Sequence, residues 1–240
     1  MTIEASSISP RFSRKYDRQF YTGMAIVVAV AVVVGFAPTY YLRPRFVPDA
    51  LPYYLHVHGL VFSAWIAFFI AQATLVAVRR TDVHRTLGWI GAGLAALMVL
   101  AGTTAGILSG QRDVAAGQED AARTFLTVPL FSMAVFAALV AAAVSFRRQS
   151  ETHKRLMLLA TISLLDAPLA RWPGAPSSLF QIYILVDLFI VAGILYDLVS
   201  RRRVAPAYLW GGLLIVAGQW LRDVVGQTEA WHAFARTLLG

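Results

Sequence analysis

The sequence predicts an all-α integral membrane protein with seven transmembrane helices, and two observations carry this prediction. The 240 residues are 58% hydrophobic and only 14% charged, whereas a soluble domain carries about a quarter charged residues. The apolar residues also form blocks of the length that a hydrocarbon core ~30 Å thick requires, which is roughly 20 residues of helix. Seven such blocks cover residues 21–42, 53–78, 86–108, 125–146, 156–170, 179–200 and 207–225. They predict one transmembrane domain over residues 21–240, preceded by a basic leader over residues 1–20.

The distribution of charge predicts the orientation of these helices. The net charge is +8, and the basic residues cluster in the leader and after the second, fourth and sixth spans, whereas the loop "GQRDVAAGQEDAAR" is slightly acidic. By the positive-inside rule, this alternation places the N-terminus in the cytoplasm and the C-terminus outside. The charge therefore reports topology in a bacterial inner membrane, with the lipid bilayer as partner and no nucleic acid.

Three similar turns suggest that three helical hairpins follow a lead helix. The segments "VAVRRTDVHRTLG", "VSFRRQSETHKRLM" and "LVSRRRVAPAYLW" each end an apolar run in arginines, cross a short gap and start a new helix. His84 and His153 occupy matching positions in the first two turns, and Tyr208 takes that place in the third. Because the third turn lacks a histidine, topology alone does not explain the other two.

The fifth span contains Pro168, which removes a backbone donor and clashes with the preceding turn. A kink or an early end is therefore expected around residues 163–167. This places Asp166 beside irregular backbone inside a membrane protein.

The two turn histidines predict a cofactor site. Imidazoles from two helices in the same leaflet are the arrangement that b-type haem with two axial histidines requires, and nearby arginines would pair with its propionates. A transition metal, a quinone or a lipid headgroup would be alternative ligands, and interfacial side chains without a ligand are another explanation. The predicted cofactor-binding residues are Arg80, His84, Arg85, Arg148, His153 and Arg155.

A second polar group is expected toward the opposite side, where ionisable residues within spans suggest a function. The predicted metal-binding residues are His56, His58, Asp166 and Asp187. Residues two apart on a helix diverge by about 200°, so at most one of the two histidines faces the bundle. A proton relay and structural hydrogen bonds between helices are the alternatives to a metal.

Several classes of protein are excluded. The chain has no cysteine, so disulfides, thiolate metal sites and haem attachment through C-x-x-C-H are absent. Its lysines are Lys15 and Lys154, so the last span offers no lysine for a retinal Schiff base. No G-x-S-x-G, H-E-x-x-H or Walker sequence occurs.

The segments "LHVHGLVFSAWIAFFIAQ", "DVHRTLGWIGAGLA" and "THKRLMLLATISLL" resemble those of uncharacterised bacterial multi-span proteins with histidines at helix starts. They also resemble small cytochrome oxidase assembly factors. The resemblance implies that His58, His84 and His153 are haem or metal ligands.

The expected function is binding of haem b or a transition metal for electron transfer or for assembly of a respiratory complex. Two other classes stay open: a proton-coupled small-molecule transporter with a site at Asp166 and Asp187, and an accessory subunit of a larger membrane complex. The sequence decides neither whether the protein is an enzyme nor whether it forms a homo-oligomer.

Overall fold

The computed structural model describes residues 10–240, with side chains from residue 16 onward, and every regular element in this range is helical. The helices are α1 (Pro10–Phe36), α2 (Tyr53–Ala77), α3 (Thr81–Ala115), α4 (Glu119–Phe125), α5 (Thr127–Ser145), α6 (Ser150–Ile162), α7 (Asp166–Leu169), α8 (Leu179–Arg201), α9 (Pro206–Gly226) and α10 (Glu229–Leu239). A π-helical turn, Ala37–Tyr41, extends α1. The predicted leader therefore lies partly within α1, and its residues 1–9 lie outside the described part.

Five helical segments are long and apolar enough to cross a membrane: Tyr16–Tyr41, Tyr53–Ala77, Thr81–Ala115, Glu119–Ser145 and Leu179–Arg201. The prediction of a helical membrane protein is thus confirmed. The other two predicted spans correspond to α6 with α7 and to α9, which are not among the five. Helix α6 has only 13 residues, and polar residues near the end of α9 lower its hydropathy.

The helices pack as the three predicted hairpins, with α2 against α3, α5 against α6 and α8 against α9, while α1 packs against α2. Helix α5 joins the hairpins because it also contacts α3 and α9. The core between them contains the fully buried side chains of Trp65, Phe136 and Leu159. Outward-facing leucines such as Leu100 and Leu213 are 66% and 68% exposed, which is the surface that lipid would cover.

The break predicted in the fifth span is present. Helix α6 ends at Ile162 and α7 begins at Asp166, with three turn residues between them. Helix α1 packs closely against this broken segment: a Cβ atom at Gly35 would overlap the carbonyl group of Pro168. The indole N–H of Trp172 also donates to the carbonyl of Ala31 at 2.9 Å. The irregular backbone is therefore supported by a regular helix.

Helix α10 was not predicted from the sequence. Thr228 caps it, since its hydroxyl accepts from the backbone N–H of Trp231 at 3.2 Å. Its buried face meets α3 where Leu239 lies against Gly110, and the Trp231 indole donates to the carbonyl of Arg123 at 2.8 Å. The helix thus covers the end of the bundle at which α3 finishes and α4 begins.

Candidate cofactor site and two buried polar clusters

His84 and His153 meet in the structure, although they are 69 residues apart in the chain. His84 lies in the first turn of α3, which begins at Thr81, and His153 in the first turn of α6, which begins at Ser150. Their ring centroids are 6.2 Å apart and their planes are inclined at 80°. The packing of the two hairpins therefore brings together the two histidines that the sequence marked as equivalent.

The tautomer of His153 is defined by its partner. Its Nδ1 atom lies 2.8 Å from the carbonyl oxygen of Ala143 at the end of α5. Because a carbonyl only accepts, Nδ1 carries the hydrogen and the lone pair of a neutral ring is on Nε2. A backbone acceptor on the other nitrogen is the usual companion of a metal-ligating imidazole.

His84 lacks a comparable partner. Its Nδ1 atom is buried and has no hydrogen-bonding partner among the residues that the structure describes. Gln72 of α2 donates from Nε2 to the backbone carbonyl of His84 at 3.3 Å, and the Oε1 atom of this glutamine is likewise unpartnered within the described residues. Unpaired buried polar atoms cost free energy, and a ligand that paired with them would offset that cost. Sequence analysis had not singled out Gln72.

The four predicted arginines are not equivalent. Arg80 contacts the Asp82 carboxylate at 3.3 Å on the surface, and Arg85 and Arg148 are exposed. Arg155 is buried, and its Nε atom donates to Asp197 at 2.9 Å. The first three lie close to the histidines in the sequence. The prediction for Arg155 is wrong, because its side chain binds Asp197 inside the protein and does not face a cofactor.

Arg155 belongs to a group of charged residues that we call the Asp197 cluster. Asp197 is completely buried between Arg155 and the backbone N–H of Ala205, which donates to it at 3.0 Å. The cluster joins α1, α6 and α8 to the start of α9. Its charged members are Asp17, Glu151, Lys154, Arg155, Asp197 and Arg201.

The charges of the Asp197 cluster balance, with three acids against three bases. Lys154 donates to Asp17 and to Glu151 at 2.7 Å each, and the Tyr196 hydroxyl donates to Asp17 at 2.6 Å. Burial raises the pKa of the Glu151 carboxyl, but hydrogen bonds from Lys154 and Arg155 outweigh burial and hold that pKa below its ordinary value. Every acid in the cluster therefore has cationic partners.

A second buried group, which we call the Asp166 cluster, lies where α7 meets α8 and α9. Arg222 is its centre: Nη2 is 2.7 Å from Oδ2 of Asp166, and Nε donates to the hydroxyl of Tyr183 at 3.0 Å. That hydroxyl in turn donates to Asp223 at 2.8 Å. The full cluster is Ser132, Asp166, Tyr183, Asp187, Gln219, Arg222 and Asp223.

The structure does not gather His56, His58, Asp166 and Asp187 into one metal centre. No group of three or more His, Cys, Asp or Glu side chains suited to a metal occurs in the described part of the chain. His56 is exposed, and the His58 ring stacks on Phe62 with centroids 4.1 Å apart. The two aspartates belong to the Asp166 cluster, where Arg222 and Gln219 are their partners.

Comparison of the chain with protein-family models, curated proteins and solved structures finds no match. The resemblance to multi-span proteins with histidines at helix starts stays a prediction. Function is therefore inferred from the side chains themselves.

Proposed function

We propose that this membrane protein binds a metal centre, haem b or a transition metal ion, between His84 and His153, for electron transfer or assembly of a respiratory complex. In this proposal α6 with α7 and α9 complete seven crossings of a bacterial inner membrane, with the N-terminus in the cytoplasm. The histidine pair then lies near the cytoplasmic surface.

The single observation that carries the proposal is the meeting of the two imidazoles at 6.2 Å. Two rings that lie on opposite sides of one metal, each with its ligating nitrogen ~2.0 Å from it, have centres roughly 6 to 6.5 Å apart, so the observed separation is compatible with a shared metal. His153 keeps Nε2 free for such a bond because Nδ1 is bound to the Ala143 carbonyl. The unpartnered Nδ1 of His84 has the same need for a ligand.

The number of donors favours haem over a free ion. Two imidazoles complete the coordination of haem iron, whose other four ligands are supplied by the macrocycle. A free ion would receive only these two nitrogens and would need further ligands from outside the pair. Arg80, Arg85 and Arg148 would hold anionic groups of the cofactor. Haem bound here would supply one-electron redox chemistry.

The test is an absorption spectrum together with metal analysis of the purified full chain, expressed with haem and metals available. We expect a Soret band or a stoichiometric metal in the wild type, and loss of either in His84→Ala and in His153→Ala. Thermal unfolding of each variant shows whether it is folded.

His56→Ala is the matched control because His56 is exposed, and it should retain the cofactor. His58→Ala separates the two predicted sites and should retain the cofactor as well. A folded wild type that is colourless and free of metal would overturn the proposal. So would a cofactor that survives in folded His84→Ala and His153→Ala.

A further inference from the structure

The Asp166 cluster borders a small, partly open cavity between α5, the break after α6, and α9. Its volume is about 10 Å³, which is close to the space that the centre of one water-sized occupant needs. The polar residues that line it are Ser132, Ser163, Asp166, Gln219 and Arg222. One small occupant therefore fits among side chains from three helical segments.

Two buried oxygens at this cavity have no partner among the residues described. They are Oδ1 of Asp166 and Oε1 of Gln219, and Gln219 is only 3% exposed. The orientation of the Gln219 amide follows from its neighbour: Nε2 donates to Asp187 at 3.3 Å, so the oxygen end is left for the cavity. Nη2 of Arg222 also makes no hydrogen bond within the described residues, but it is ion-paired with Oδ2 of Asp166 at 2.7 Å. The two unpartnered oxygens are acceptors, and an occupant that satisfies them must be a donor or a cation.

Two serine hydroxyls add oxygens to the same lining. Ser163 donates its hydrogen to the carbonyl of Ala160 at 2.8 Å, which leaves its lone pairs available. Ser132 accepts from Nη1 of Arg222 at 3.1 Å and keeps a second lone pair. The cavity thus offers oxygens from four side chains, which hard cations prefer, beside the Arg222 guanidinium, whose Nη1 and Nη2 atoms lie against Ser132 and Asp166.

The charge around the cavity is negative. Asp166 pairs with Arg222, whereas Asp187 accepts from Gln219 and Asp223 from the Tyr183 hydroxyl. Three carboxylates against one guanidinium leave a formal excess of two negative charges. A cleft of about 660 Å³ adjoins the cavity at Arg222, and its lining includes Asp120 and Asp223. These carboxylates favour a cation over an anion near the cavity.

We infer that this cavity binds a small monovalent cation, Na⁺ or hydronium, through the oxygens of Asp166, Gln219, Ser132 and Ser163. Arg222 keeps Oδ2 of Asp166 occupied and so directs Oδ1 of that carboxylate to the cation. The site shares no residue with the histidine pair, so a negative result for the metal centre would not contradict it.

The test measures the thermal unfolding midpoint of the full chain in nanodiscs, with NaCl replaced by choline chloride at constant ionic strength. The titration is run at about pH 8 and at about pH 5.5. We expect a saturable rise of the midpoint with Na⁺ in the wild type, because a ligand that binds the folded state stabilises it. Gln219→Leu and Ser163→Ala should each weaken the apparent affinity by at least about tenfold.

Ser145→Ala is the matched control, since this exposed hydroxyl of α5 also donates to a carbonyl of its own helix, that of Ala141. It should respond to Na⁺ as the wild type does. If hydronium is the occupant, Na⁺ has no effect on the unfolding midpoint. Lowering the pH from about 8 to about 5.5 then raises the midpoint of the wild type and of Ser145→Ala, but not that of Gln219→Leu.

For that pH response the facing groups are the carboxylates of Asp120, Asp166, Asp187 and Asp223, the Tyr183 phenol and the Arg222 guanidinium. Gln219→Leu also removes the donor to Asp187. Ser163→Ala removes a hydroxyl that donates to the Ala160 carbonyl and leaves the partners of all these groups in place, so it must lose the response as well. Equal responses to NaCl and choline chloride, together with a pH response unchanged in Gln219→Leu, would overturn the inference.

Discussion

The Asp197 and Asp166 clusters are both buried and both join several helices, yet they differ in charge balance and in hydrogen bonding. The Asp197 cluster sets three acids against three bases, and none of its side chains has an unpartnered buried atom among the residues described. The Asp166 cluster sets three acids against one base, and Asp166 and Gln219 each keep an unpartnered oxygen.

This difference separates a structural cluster from a binding one. A buried charge that is fully paired fixes the arrangement of the helices around it, and removal of one partner is strongly destabilising. A buried polar group that lacks a hydrogen-bond partner raises the free energy of the folded state, and a bound ligand can offset this cost. The two clusters therefore predict different responses: breaking an ion pair of the first should chiefly change stability, and replacing an unpartnered group of the second should chiefly change binding.

The largest effect is expected from Asp197→Ala. It leaves the Arg155 guanidinium buried without its main partner, and such a loss costs about 3–5 kcal/mol. Unfolding of the purified protein in mixed detergent micelles measures this free energy. The double variant Arg155→Met with Asp197→Leu should recover most of the loss, because it removes both charges together. A single variant as stable as the wild type would contradict a structural role for the pair.

A smaller effect should come from Gly35→Ala, which tests the packing of α1 against α7, the short helix that carries Asp166. A Cβ atom there would overlap the backbone carbonyl of Pro168, and such overpacking costs about 1–3 kcal/mol. Gly23→Ala in the same helix is the matched control, since its Cβ would meet no described atom within 4 Å. The control should be neutral or more stable by up to about 1 kcal/mol in the same unfolding assay.

Two tyrosines compare a hydroxyl of the Asp166 cluster that makes two short hydrogen bonds with a hydroxyl outside both clusters that makes one long contact. Tyr183→Phe removes a bond to Asp223 at 2.8 Å and one from Arg222 at 3.0 Å, and should destabilise the protein by about 1 kcal/mol. Tyr21→Phe removes only the 3.4 Å contact with the hydroxyl of Tyr208 and should cost less than about 0.5 kcal/mol. Equal losses of unfolding free energy in the two variants, measured in detergent, would contradict this difference between the two hydroxyls.

The smallest effect concerns pH. Because the folded pKa of Glu151 lies below its ordinary value, ionised Glu151 stabilises the fold above its unfolded pKa of about 4.3. That stabilisation is lost as pH falls through the folded pKa. The midpoint of thermal unfolding should therefore be lower in Glu151→Gln than in the wild type at neutral pH, and the two should converge under acid conditions. A difference that grows in acid would contradict this sign.

The sequence predicted the elements that depend on local chemistry. Apolar blocks predicted the long helices, Pro168 predicted the break that now lies at residues 163–165, and matching turns marked His84 and His153. Each of these signals lies within a few residues of the feature that it predicts. The separation of the two imidazoles could not be predicted, because it depends on how two hairpins pack.

The Asp197 cluster was missed for the same reason. Asp197 lies near the end of the sixth apolar block, just before the arginine run, and the sequence analysis did not single it out. Its partner Arg155 is 42 residues away in the chain, and Asp17 lies in the leader. No periodicity links such positions, so only the packed structure shows that these charges neutralise one another.

The position of Asp17 also has a consequence for the order of synthesis. It belongs to α1, whereas its partners Lys154 and Arg201 follow it by 137 and 184 residues and are synthesised later. Helix α1 is therefore complete before the bases that bind its carboxylate exist. The ion pair that joins α1 to α8 can form only when α8 has been made.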